Sequence, residues 1–277
     1  MRRLLLASVV FIFSLAPHLA GAGPRSLQVE PPPAVPPGFE TYRGYVFDLS
    51  ENSERKDVSA IADALRRQLD VVESAGLSPK VLQFFHTVPI IASEMTCLDE
   101  GAGIACYGPV SPDRNQRMSS SFTTWDEGKL RWSNPNFVDL AADAGPGVIM
   151  LRPVLLKHAE DPVLLHELLH AYHAKLMPQG YDNLGIKAYH ADAMSKQVFG
   201  KEEYAMKNHK EFFAVTASIF LAGKESMHEP KTRAQLKEKL PKYYKYLVEL
   251  FGFDPEPDPA KATPVAESAD KATSDGT

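Results

Sequence analysis

The segment that most constrains this chain runs from Asp161 to Met177 and reads DPVLLHELLHAYHAKLM. An Asp followed by Pro predicts a helix start, because Asp can accept hydrogen bonds from free amides and Pro suits the first helical position. Apolar residues then recur at helical spacing as far as Leu176, and Pro178 predicts the end of the helix. We therefore predict one apolar helix that opens at residues 161–162.

This helix carries an H-E-x-x-H motif, His166-Glu167-Leu168-Leu169-His170. Side chains four residues apart project from one face of a helix, so His166 and His170 can bind one zinc ion, and Glu167 can act as general base on a metal-bound water. The longer metzincin motif would need Gly at position 173 and His at position 176, which excludes that class here. One helix rarely supplies three ligands to a tetrahedral zinc, so we expect His173 beside the ligands or exposed to solvent.

A third protein ligand must therefore come from elsewhere in the chain. No Glu lies between His170 and Glu202, and the acids of that interval are Asp182 and Asp192. Either one of these Asp residues or a more distant Glu completes the set. The best candidate is Glu211, in the run NHKEFFA within a predicted apolar helix, because a carboxylate on a buried helix face needs a partner charge that zinc would supply.

Two residues that precede Glu211 belong to the predicted site. The apolar pattern predicts one helix over residues 202–222, which puts Tyr204 two turns before Glu211 on nearly the same face. The Tyr204 hydroxyl can then stabilise a developing oxyanion, although a Tyr that simply packs at an interface is the alternative. Asn208 lies one turn before Glu211 and can orient its carboxylate.

HELLH followed about forty residues later by NHKEFFA resembles the zinc metallopeptidases related to the catalytic domain of anthrax lethal factor. The third zinc ligand of that group is the Glu of an E-[FY]-F-A run on a later helix. The resemblance spans residues 147–223 and implies a zincin-like, gluzincin-type enzyme with one zinc ion per chain. Carried over to this chain, it implies the zinc ligands His166, His170 and Glu211, the general base Glu167 and the oxyanion-stabilising Tyr204.

Both ends of the chain differ in composition from its middle. Arg2 and Arg3 precede an apolar run and the small residues Ala20-Gly21-Ala22, a pattern typical of a secretory signal peptide. The protein is therefore predicted to be exported, either secreted or periplasmic, with no stable membrane anchor after signal cleavage. The predicted organisation is a signal peptide (1–22), a Pro-rich linker (23–39), the zinc metallopeptidase domain (40–253) and a disordered tail (254–277).

Cysteine content and charge narrow the class of protein further. The two cysteines, Cys97 and Cys106, are close in the sequence, and in an exported protein such a pair predicts a disulfide that closes a small loop. Two buried free thiols are the alternative. The formal net charge is −5 and no basic cluster is present, which argues against a nucleic-acid partner.

Strand-like patterns occur only before residue 161, and most helical patterns come after it. We predict a helix over residues 57–75 and a loop over residues 178–185. A last helix over residues 233–251 is predicted to kink at Pro241. Short strands are predicted at 81–85, 90–92, 104–107 and 147–151, with a hairpin around 126–128. This order predicts an α+β fold in which a small mixed or antiparallel N-terminal sheet is followed by the active-site helix and further C-terminal helices.

Together these features predict an exported zinc metallopeptidase that acts on a peptide or protein substrate. Two other interpretations stay open: an exported zinc-containing binding module without catalysis, and a zinc hydrolase of a non-peptide substrate. An extended substrate could pair with the strand at 104–107 or with the strand at 147–151 by strand addition.

Overall fold

The structure, a computed structural model, describes residues 37–93, 104–108, 124–126, 131–133, 146–158 and 161–256. The predicted signal peptide, most of the predicted linker and residues 257–277 lie outside these ranges. A small mixed sheet followed by helices makes up the described part of the chain, which confirms the α+β prediction. Within it, no helix combines the length and the apolar character needed to cross a membrane.

The strands of the described ranges are short. They are β1 (Phe39–Tyr42), β2 (Tyr45–Asp48), β3 (Ile90–Ala92), β4 (Ala105–Gly108), β5 (Thr124–Asp126), β6 (Arg131–Ser133) and β7 (Val148–Leu151). Five of them form one sheet in the order β1-β2-β3-β7-β4, in which β2, β3 and β7 are parallel and both outer strands are antiparallel to their neighbours. The strands β5 and β6 form the predicted hairpin, with Trp125 opposite Trp132.

Most strand predictions are confirmed, and the β1–β2 hairpin was not predicted. Its first residue, Phe39, is the last residue of the predicted linker. The strand β7 pairs with a strand on each side, and all four of its residues are buried. Such a strand reads as a continuous apolar run, which explains why it is easy to recognise in the sequence.

The helices of the described residues form the rest of the fold. They are α1 (Val58–Glu73), α2 (Pro79–Phe85), α3 (Val163–Lys175), α4 (Leu184–Ser195), α5 (His209–Ala222), α6 (Arg233–Lys239) and α7 (Pro241–Phe251). The helix with the HELLH motif, α3, packs against α1, β4 and α5. Both α3 and α5 are buried over most of their length, as expected for helices inside a core.

The prediction of a strand at residues 81–85 is wrong, because these residues belong to α2. Ser78 begins this helix by accepting a hydrogen bond from the Val81 amide, and Pro79 occupies the first turn. Ser at the cap and Pro in the first turn both favour the start of a helix, and here they decide the structure over the short apolar run that predicted a strand. The prediction that Asp161 caps α3 is also wrong, since its carboxylate lies 3.0 Å from His158 Nδ1 instead.

The predicted helix over residues 202–222 is wrong in its first part. Residues Tyr204–Met206 form a separate 3-10 helix, and α5 starts after Asn208, which is extended. Asn208 Oδ1 accepts hydrogen bonds from the amides of Lys210 and Glu211, at 2.9 and 3.0 Å, and this caps α5. The predicted end of the helix at Gly223 is confirmed by its left-handed backbone, with φ of 62°.

Two further boundaries differ from the predictions. The helix α4 was not predicted, and it begins inside the predicted loop because Asn183 Oδ1 accepts a hydrogen bond from the Ile186 amide. The predicted kink at Pro241 is a complete break between α6 and α7, with Leu240 outside helical geometry. Pro241 has no amide to donate, so it can begin a helix but cannot continue one.

Candidate metal centre

His166, His170 and Glu211 meet at the contact between α3 and α5. The two Nε2 atoms of the histidines are 3.1 Å apart, and Glu211 Oε2 lies 3.2 Å from His166 Nε2 and 3.3 Å from His170 Nε2. These three atoms form a nearly equilateral triangle. Among the described residues, this is the only group of three or more His, Cys, Asp or Glu side chains arranged to hold a metal ion.

The size of the triangle fits a zinc ion. Zinc binds His nitrogen and carboxylate oxygen at about 2.0–2.1 Å, so two ligand atoms of a tetrahedral site are about 3.3 Å apart. Glu211 is 3% exposed, and its Oε2 atom has no hydrogen-bond partner among the described residues. A cation at the centre of the triangle would satisfy this oxygen, whose burial is otherwise costly.

The electrostatics of Glu211 agree with a cation-binding role. Burial alone would raise the pKa of its carboxyl group, but the adjacent His166 and His170 imidazoles hold that pKa well below its usual value. Glu211 also lies in the first turn of α5, where the helix dipole favours a negative charge. The carboxylate is therefore ionised, as a metal ligand must be.

Asn208 has a different role from the predicted one. It was expected to orient the Glu211 carboxylate, but its side chain binds the backbone amides of Lys210 and Glu211. It therefore sets where α5 begins, and with it the position of the Glu211 backbone.

The two Asp residues that the sequence left as alternative ligands lie outside the cluster. Asp182 forms an ion pair with Lys187 at 2.6 Å, and Asp192 forms one with Lys196 at 2.7 Å. Both carboxylates are substantially exposed. The structure therefore favours Glu211 as the third residue of the group.

Glu167 lies next to the triangle without belonging to it. It is 6% exposed and lines a cavity of about 310 Å³ together with its neighbour His166. The start of β4, the start of α3, the middle of α5 and residues 225–228 contribute the other walls. A buried carboxylate beside a candidate metal site and a cavity is suited to proton transfer on a bound molecule.

Tyr204 lies at the cavity, although the helical spacing used to place it is wrong. It belongs to the 3-10 helix before α5, and its ring centroid is 6.1 Å from that of His166. Tertiary packing of this turn against α5, rather than helical phase, brings it to the site.

His173 is completely buried and is not at the triangle. Its ring packs edge-on against Tyr181 and Phe213, with centroids 5.2 and 5.0 Å away. Burial lowers the pKa of His173 to about 3, and neither ring nitrogen has a hydrogen-bond partner among the described residues. His173 therefore behaves as an apolar core residue, and the expectation that it could be exposed to solvent is wrong.

Two residues with a bearing on the site were missed in the sequence. Gln68 on α1 is fully buried, and its Oε1 accepts the Leu164 amide at the start of α3. Gln68 is a polar residue at a core position of the amphipathic helix α1, and that position could have indicated a buried hydrogen-bonding role. His228 lines the cavity and stacks on Tyr204, but no spacing pattern around it could have shown this. Burial lowers the pKa of the His228 imidazole, while the charge of Glu203 opposes that effect.

The predicted disulfide falls only partly within the described residues. Cys106 lies on β4 and is 4% exposed, whereas Cys97 lies outside the described ranges. The pairing of the two cysteines stays a prediction.

Comparison with known proteins gives no relative for this chain. No protein-family model, no curated protein and no solved structure matches it. Function therefore has to be inferred from the residues of the site.

Proposed function

We propose that this chain is an exported, zincin-like metallopeptidase in which His166, His170 and Glu211 bind one zinc ion. The observation that carries the proposal is the triangle of donor atoms with sides of 3.1 to 3.3 Å, beside the buried Glu167. The resemblance of HELLH and NHKEFFA to the lethal-factor group supports peptide bonds as the substrate. The predicted signal peptide supports export.

The residues around the triangle supply what hydrolysis needs besides the metal. His166, His170 and Glu211 would hold the zinc ion, which would activate a water molecule as the nucleophile. Glu167 accepts the proton of the attacking water and delivers it to the leaving amine. Tyr204 donates a hydrogen bond to the carbonyl oxygen of the substrate as negative charge develops there.

The sheet topology favours one of the two strands considered for substrate pairing. The strand β7 is paired on both sides, so it has no free edge for a peptide. The strand β4 is the last strand of the sheet among the described residues, and Ile104 and Ala105 at its start line the cavity. We therefore propose that extended substrate pairs with β4 by strand addition.

A single set of samples tests the proposal. Purified wild-type protein should contain about one zinc ion per chain by metal analysis and should hydrolyse a mixture of unstructured peptides. Glu167→Gln should keep the zinc and lose at least about 100-fold in hydrolysis rate, as expected for loss of a general base. Glu238→Gln, an exposed Glu on α6, serves as the matched control and should behave like wild type.

The possible results separate the competing functions. Absence of zinc in the wild type would refute the metal centre. Zinc without hydrolysis of any peptide would favour a binding module or a hydrolase of another substrate class. Full activity in Glu167→Gln would exclude Glu167 as the base.

A further inference from the structure

His228 lies in the segment between α5 and α6 and lines the same cavity as His166 and Glu167. Its ring stacks on Tyr204, with centroids 4.9 Å apart and an interplanar angle of 28°. The Tyr204 ring is in turn 6.1 Å from that of His166. His228 and Tyr204 therefore form one stacked pair in the cavity wall beside His166.

The backbone around His228 is held by several hydrogen bonds. The His228 amide donates to Ser226 Oγ at 3.0 Å, and the Glu229 amide donates to Glu203 Oε2 at 3.2 Å. The Ser226 amide donates to Lys231 O at 2.8 Å. Because both the backbone and the stacked ring are fixed, the imidazole is oriented before any ligand arrives, which is what an efficient hydrogen-bond donor requires.

The imidazole of His228 has capacity for a ligand. Its ring nitrogens form no hydrogen bond or ion pair with any of the described residues. A neutral imidazole has one N–H to donate. Ser218, another polar residue of the cavity, already donates its hydroxyl to Val215 O at 2.9 Å. None of the described residues accepts the ring N–H of His228, so this ring offers a free donor at the cavity wall.

We infer that His228 is a further catalytic residue, whose imidazole N–H binds the carbonyl oxygen of the peptide under attack beside Tyr204. This inference rests on the proposed peptidase function. Two preorganised donors aimed at one developing oxyanion are a common arrangement in acyl-transfer enzymes, and each contributes most in the transition state. The stack on Tyr204 keeps the two donors at a fixed relative position.

The test uses His228→Phe, which keeps an aromatic ring against Tyr204 but removes the N–H. The matched control is His86→Phe, because His86 is a partly buried His that packs on Tyr45 in another part of the fold. Zinc-loaded proteins are titrated with N-phosphoryl-leucinamide, whose tetrahedral phosphoryl group resembles the transition state of peptide hydrolysis. Zinc content and hydrolysis of the peptide mixture are measured on the same samples.

We expect His228→Phe to bind the probe at least about tenfold more weakly and to lower the hydrolysis rate by about 10- to 100-fold, with unchanged zinc content. His86→Phe should match the wild type in all three measurements. Equal probe affinity in His228→Phe and wild type would overturn the inference, as would equal losses in both variants. Wild-type protein that holds zinc but does not bind the probe would also overturn it. Wild-type protein without zinc would instead refute the proposed function and this inference with it.

Discussion

Replacing Gln68 by Leu should destabilise the protein at the start of the helix that carries HELLH. Gln68 is fully buried on α1, and its Oε1 accepts a hydrogen bond from the Leu164 amide at 2.9 Å, across 96 residues of sequence. The Leu164 amide lies in the first turn of α3, where no carbonyl of the helix can accept it. A Leu side chain has nearly the same volume but cannot replace this acceptor.

The size of the effect follows from which groups lose their partners. Gln68 Nε2 also donates to His158 O at 3.2 Å and to Asp161 O at 2.5 Å. Both carbonyls keep a second donor, since the Asp161 amide binds His158 O and the Val163 amide binds Asp161 O. Among the described partners of Gln68, only the Leu164 amide becomes unsatisfied, at about 1–3 kcal/mol, and the two weakened carbonyl contacts add to this. We expect a total loss of about 2–4 kcal/mol in the free energy of unfolding.

Urea unfolding in the presence of EDTA measures this loss without the contribution of metal. In a domain of this size the same loss lowers the melting temperature by roughly 5–15 °C. Gln83→Leu, on the exposed face of α2, is the matched control and should change the free energy of unfolding by less than about 0.5 kcal/mol. If Gln68→Leu costs no more than Gln83→Leu, the reasoning about the buried Leu164 amide is refuted.

Three more outcomes are expected. Asn208→Ala should lower the free energy of unfolding in urea by about 1 kcal/mol because α5 loses its cap. Asn208→Asp keeps a capping side chain and should retain most of that stability. Burial lowers the pKa of His173 to about 3, below the 6.5 of an exposed His, so folding favours the neutral form and stability is lost as pH falls below about 6.5. Near pH 5 this effect should lower the free energy of unfolding by ~2 kcal/mol. In EDTA, His173→Leu should therefore lose less stability between pH 7 and pH 5 than the wild type. Equal losses in the two proteins would contradict the lowered pKa of His173. Mass spectrometry without reduction should show Cys97 linked to Cys106, and reduction should cost about 2.5–3 kcal/mol by the chain-entropy argument; two free thiols would rule the disulfide out.

Local signals explain where the prediction of secondary structure succeeded and failed. The helices α1 and α3 and the strand β7 have long or continuous apolar patterns, and these were predicted with small errors at their ends. Three of the boundaries that failed depend on single side chains that bind backbone amides, and the break before Pro241 depends on an amide that is missing. Ser78, Asn183 and Asn208 each begin a helix in this way, and each of these helices was misassigned or mispositioned. A capping residue changes the structure of a short segment more than an apolar run does.

The candidate site depended on both levels of information. The spacing of His166 and His170 on one helix was sufficient to place their rings together, because helical geometry is local. The sequence favoured Glu211 as the third metal ligand but left Asp182 and Asp192 as alternatives. The structure supports it because those two Asp residues pair with exposed lysines, while Glu211 lies within 3.3 Å of both imidazoles.

The sequence by itself determined the residue chemistry of the site, the α+β order of the elements and the pair of histidines on α3. Only the tertiary structure decided the neighbours of that pair: Glu211 in the triangle, Tyr204 and His228 at the cavity, and Gln68 at the start of α3. The physical reason is the range of the interactions. Helix periodicity and capping act over a few residues. These contacts instead join residues between 24 positions (Tyr204 and His228) and 96 positions (Gln68 and Leu164) apart, and they exist only in the packed structure.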